Sequence, residues 1–180
     1  MAAEPDRRPR MAKARGVAPA APRRFPVPPK RVLLVSNAMP LGPDVLRATI
    51  DLAAPEHAKI TVLGIARIHG TSLGLPHPGL QPTRLEWEEQ QAIVNDAADD
   101  LRRRGFDVRV ALIRARNAPK MVARWVIARN FHAVVVPDPT RPGWRRFIEG
   151  DLAHDIERRC GVPVHPVPVA APSHGGTRAD

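Results

Sequence analysis

The chain has 180 residues, with 28 Lys and Arg against 18 Asp and Glu, a net charge of +10, 21 prolines, 12 glycines and one cysteine. Its 43% apolar content is enough to close a core and excludes wholesale disorder, and the single Cys160 excludes an internal disulfide framework. No run approaches the ~18 apolar residues of a membrane span, no apolar signal segment opens the chain, and 4% aromatics without tyrosine argue against a stacking platform for single-stranded nucleic acid. The expectation is a cytoplasmic protein.

The charge is unevenly spread. Residues 1–31 hold nine cations and two acids, Glu4 and Asp6, so +7 of the excess lies there and only +3 in the remainder. Seven prolines fall in the same stretch. Such a segment cannot bury enough apolar surface to offset its ordering entropy, so residues 1–30 read as a disordered basic arm. Three roles compete for it: a solvated tail, contact with a polyanion such as RNA or a ribosome, and a transit peptide, whose acid-poor pattern Glu4 and Asp6 spoil. Met11 offers a second start for translation.

From residue 31 to residue 170 the pattern alternates. Val32 to Val35 is an apolar run of strand length, and Pro43 and Asp44 open a helix with Leu46, Ile50 and Ala53 at helical spacing. Lys59 to Ala66 reads as a second strand, followed by a Gly- and Pro-rich loop. Thr83 and Glu86 form a capping box for a helix that carries Ile93, Val94, Ala97, Ala98 and Leu101 on one stripe and stops at Gly105. Val108 to Ile113 is the third strand. Asn117 and Pro119 open a helix burying Met121, Val122, Trp125 and Val126. Ala133 to Val136 is the fourth strand, a helix from about Trp144 to Cys160 follows, and Val162 to Val169 is the last strand; residues 171–180 read as a disordered tail.

Strands that are nearly continuous apolar runs are covered on both faces. The expected fold is therefore α/β, a doubly wound five-stranded parallel sheet with helices on both sides. In such sheets ligands sit beyond the carboxyl ends of the strands where strand order reverses. That directs attention to Ser36, Asn37 and Ala38 after the first strand, and to Pro137 through Gly143 after the fourth.

At these residues the chain resembles the universal stress protein family. The resemblance is carried by Gly143-Trp144-Arg145-Arg146-Phe147-Ile148-Glu149-Gly150-Asp151-Leu152 and by Arg158-Arg159-Cys160-Gly161-Val162-Pro163-Val164. Family members read Gly-Leu-Lys-Arg-Leu-Leu-Leu-Gly-Ser-Val at the first and Pro-Val at the second, and element order agrees over residues 31–170. The resemblance implies strand order 3-2-1-4-5. It also implies a nucleotide motif of two glycines, then Gly-Ser or Gly-Thr, whose positions here are Pro137, Thr140, Gly150 and Asp151. Asn37 takes the position of an acid near the nucleoside, and Asp138 lies within the same loop.

One of the four motif positions survives. Pro137 has no amide to donate, Thr140 lacks the backbone freedom of glycine, and Asp151 places a carboxylate where a hydroxyl would meet phosphate. Arg141, Arg145 and Arg146 could compensate by charge, or could form a solvated face. No cofactor is expected, and ATP or another adenine nucleotide is expected to bind weakly if at all.

The seven histidines lack metal-ligand spacing, and neither a nucleophile elbow nor a P-loop is present. Trp144 reads as a packing residue and Cys160 as a buried small one. The functional expectation is a non-enzymatic stress-response or regulatory binding domain, with an RNA- or ribosome-binding accessory factor as the alternative and a nucleotide-dependent enzyme third. The partner is an unidentified protein or a polyanion met through residues 1–31, and no membrane. The family resemblance implies dimerisation through the last strand's free edge. Pro166 and Pro168 are expected to blunt that edge, leaving a monomer or a dimer through another surface.

Overall fold

The computed structural model describes residues 28–67, 83–139 and 152–169. The basic arm before residue 28, the Gly- and Pro-rich loop, the start of the last helix and the tail lie outside these residues. Five strands form one parallel sheet in the order β3-β2-β1-β4-β5, as expected. In chain order the elements are β1 (Arg31–Ser36), α1 (Pro43–Ala53) with a short 3-10 turn at Ala54–Glu56, and β2 (Lys59–Arg67). There follow α2 (Arg84–Arg103), β3 (Val108–Ala115), α3 (Ala118–Ala128), β4 (Ala133–Pro139), α4 (Leu152–Cys160) and β5 (Val164–Val169).

Alternation along β1 splits the core in two. Val32 and Leu34 point to one face and pack with Val45 and Ala53 of α1 and Val94, Ala97, Ala98 and Leu101 of α2. Leu33 and Val35 point to the other and pack with Val122 and Val126 of α3 and Ile156 of α4. Each fully buried aliphatic side chain stabilises by about 1.5–3 kcal/mol relative to exposure. β1 is buried from Val32 to Ser36 because both neighbours and both helical layers cover it.

Helix boundaries follow the local signals. The Thr83 hydroxyl accepts from the Glu86 amide at 3.2 Å, and the Glu86 carboxylate accepts from the Thr83 amide at 2.7 Å. Gly105, at φ +90°, ends α2 in a conformation that a Cβ would obstruct. Asn117 caps α3 by accepting from the Lys120 amide at 3.0 Å.

Three details depart from expectation. The buried stripe of α1 is Val45, Thr49 and Ala53, with Leu46 and Ile50 at its half-buried margin. Met121 and Trp125 are likewise half-buried while Val122, Ala123 and Val126 form the inner face of α3. β4 does not stop at Val136 but continues through Pro137 to Pro139, paired with Val167 to Val169. Two prolines in a strand argue against that continuation; hydrogen-bond parity removes the conflict. Val134 donates to the Pro163 carbonyl at 3.1 Å, so even-numbered residues of β4 face β5 and odd-numbered ones face β1. Pro137 and Pro139 therefore lack donors only on the β1 side.

Candidate functional site

The switch point lies between β1 and β4, the strands from which the chain departs in opposite directions across the sheet. β1 stays paired with β2 to its last residue, Ser36 against Gly64. With β4 it pairs only from Val32 to Leu34, against Ala133 to Val135. The next bond of that ladder requires an N–H at position 137 for the Val35 carbonyl, and Pro137 has none. The two strands part at the position where the family motif begins.

Above this divergence Asn37 is half-buried and Ala38 is exposed with φ +55°. The left-handed turn at Ala38 carries the chain off the end of β1 toward α1. Its foundation is a buried polar relay. Gln90 of α2, 3% exposed, donates from Nε2 to the Ser36 Oγ at 2.8 Å, and that hydroxyl donates to the Met39 carbonyl at 2.8 Å. Ser36 is thus fully engaged in holding the β1–α1 connection. Gln90 can reach it because α2 lies close to the sheet over Gly64. A Cβ there would stand 2.5 Å from Leu112 Cδ1 and 2.9 Å from Val94 Cγ1.

Of the residues singled out by sequence, Asn37, Pro137 and Asp138 are described, and they occupy the ends of adjacent strands. Pro137 is buried and Asp138 half-buried within β4 rather than in a loop. Thr140, Arg141, Arg145, Gly150 and Asp151 lie outside the described residues, as does Trp144. Cys160 is half-buried at the end of α4, 4.0 Å from the Val162 carbonyl, rather than fully buried as expected. Gln90 was not distinguished by sequence, because it sits in a run of charged and polar residues. Its spacing of four from Val94 is the signal that places it on the inner stripe. At the same end of the sheet the Arg114 guanidinium lies 4.9 Å from the Trp87 ring centroid, joining β3 to the start of α2.

Among the described residues no group of three His, Cys, Asp or Glu side chains could hold a metal ion, and no helix is long and apolar enough to cross a membrane. A displaced carboxyl among the described residues lies remote from this site. Asp100 on α2 is held below its ordinary 3.8 by hydrogen bonds from Arg104 and Arg103.

Similarity to known proteins agrees with this geometry. The chain matches the universal stress protein family over residues 29–168. No curated protein matches it. Among solved structures, a universal stress family protein from Burkholderia pseudomallei is 20% identical, with 78% of this chain and 96% of that one covered at a TM-score of 0.57. The universal stress protein of Archaeoglobus fulgidus in complex with dAMP is 17% identical, covering 76% and 95% at 0.54. A universal stress protein in complex with cAMP is 16% identical, covering 78% and 98% at 0.56. With the strand order, the divergence of β1 from β4 and a match over most of its length, the chain belongs to the universal stress protein family.

Proposed function

We propose that this protein is a non-catalytic stress-response binding domain whose nucleotide site is impaired at the phosphate end. The observation that carries this reading is Pro137, buried at the end of β4 with its missing donor on the β1 side of the cleft. A phosphate approaching there meets a pyrrolidine ring where the family motif places a glycine. The sequence adds Thr140 in place of a glycine and Asp151 in place of a hydroxyl at the remaining positions of the family motif. Relatives of the same fold hold dAMP and cAMP, so adenine nucleotides are the ligand class against which the impairment is measured. Small-molecule mass spectrometry of the natively purified protein tests the reading. The expected result is no stoichiometric adenine nucleotide; a nucleotide retained at one per chain would overturn it.

A second reading rests on the charge asymmetry, with +7 of the +10 in residues 1–31. In this reading the folded domain is a rigid carrier and the arm engages a polyanion such as RNA. Each phosphate neutralised releases counterions, so the logarithm of affinity falls by about 0.7 per phosphate for each decade of salt on single strands. Binding to RNA that disappears on deleting residues 1–28 supports this reading, and binding that survives the deletion contradicts it.

A further inference from the structure

The two edges of the sheet are chemically unlike. On β5 the parity set by the bond from Val134 to Pro163 turns Val164, Pro166 and Pro168 outward, so two of three outward positions lack a donor. On β3 the Ile60 amide donates to the Asp107 carbonyl at 3.0 Å, which turns Val108, Val110, Leu112 and Arg114 outward. None of these is proline. The Arg102 guanidinium already occupies the Val108 carbonyl at 3.0 Å. Among the described residues, nothing bonds the outward N–H or C=O of Val110 or Leu112. From Val110 to Ile113 every side chain is apolar and half-buried. An apolar edge with open backbone groups is a template for another strand.

We infer that this edge is a self-association surface, at which a second copy of the chain adds its own β3 antiparallel about a two-fold axis through Ala111. Only this two-fold register pairs Val110 with Leu112 in both directions. It forms four backbone hydrogen bonds from the two open residues of each copy. Ala111 then faces Ala111 of the second copy in a non-hydrogen-bonded pair, where Cα atoms approach to about 4.5 Å and a methyl group suits the space.

The charges accept this register. Arg109 faces Ile113 and Arg114 faces Val108, so no cation opposes another. The strand's acidic end at Asp107 meets the end bearing Arg114 and Arg116. The two terminal segments of the same chain are poorer occupants. The longest proline-free stretch before residue 28 runs from Arg10 to Ala18 and carries three cations toward an edge flanked by Arg109 and Arg114. The tail after residue 169 contains Pro172 and the Gly175-Gly176 pair, which disfavour strands.

Sedimentation equilibrium of the full chain is expected to show a reversible dimer at micromolar concentration. Val110→Pro removes an outward donor while the bonds of Arg109 and Ala111 to β2 remain. With circular dichroism unchanged, it is expected to raise the dimer dissociation constant by about tenfold, for two lost backbone bonds per dimer. A second variant carries the test if that proline disturbs β3. Ala111→Cys in a Cys160→Ser background is expected to yield a disulfide-linked dimer on treatment with oxidised glutathione, because the expected Cα separation lies within the disulfide range of about 4.4–6.8 Å. Arg109→Cys in the same background is expected not to link. A chain that stays monomeric, a folded Val110→Pro variant that dimerises undiminished, or cross-linking at 109 and not at 111 would overturn the inference.

Discussion

Ala38 holds the left-handed conformation that begins the β1–α1 connection, and replacing it with glycine is expected to stabilise the protein. For a residue with a Cβ, φ of +55° costs about 1–2 kcal/mol, since the Cβ crowds the following carbonyl. Glycine escapes that clash but has more freedom to lose on folding, about 0.4–1 kcal/mol. Ala38 is exposed, so its methyl group contributes no burial that the substitution would forfeit. The difference leaves Ala38→Gly more stable by about 0.5–1 kcal/mol. Asn130, at φ +52°, is the internal control, because a short amide side chain tolerates this conformation and Asn130→Gly gains less. Equilibrium urea unfolding reads the effect as a raised midpoint with an unchanged slope. A midpoint lowered by Ala38→Gly, or raised more by Asn130→Gly, would refute the strain argument.

Gln90→Ala removes the donor to Ser36 and part of a buried side chain. A net hydrogen bond of about 0.5–1.5 kcal/mol and one lost methylene of about 0.8 kcal/mol give a destabilisation of about 1.5–2 kcal/mol. Gln90→Glu should cost more, since a carboxylate cannot donate there. A midpoint unchanged in either variant would show that the relay does not hold the connection. Gly64→Ala drives a methyl group into Leu112 and Val94 and is expected to cost about 1–3 kcal/mol, measured by thermal unfolding. Asp100 links stability to acid: its folded value lies below the unfolded 3.8, so its contribution is present above 3.8 and fades as pH falls through the folded value. Asp100→Asn should flatten that acid limb slightly, and an unaltered limb would remove Asp100 from the account.

The fold was legible because its signals are local and redundant. Continuous apolar runs at Val32 to Val35 and Ala133 to Val136 could belong only to strands covered on both faces, and the Thr83–Glu86 box and Gly105 marked α2 at both ends. The misjudged end of β4 depends on which side of the strand a backbone group faces, and composition does not encode that. Pro137 and Pro139 looked like the end of β4, yet their missing donors fall where pairing with β1 has already ceased. Of the candidate site, the strand ends that carry Asn37 and Pro137 were legible from the switch-point rule and the family motif. Gln90 was missed because its role depends on how closely Gly64 lets α2 approach.

The central claim is that the phosphate end of the cleft no longer holds a nucleotide well. Each missing charge-assisted bond costs about 1.5–3 kcal/mol. Two such losses therefore reach the ~4.1 kcal/mol that separates micromolar from millimolar affinity. Isothermal titration of the full chain with Mg-ATP measures this directly, beside the triple variant Pro137→Gly, Thr140→Gly and Asp151→Ser. The account predicts a dissociation constant weaker than about 10 μM, or −6.8 kcal/mol, for the native chain, and a gain in affinity for the variant. A native constant tighter than that, with no gain in the variant, would contradict it.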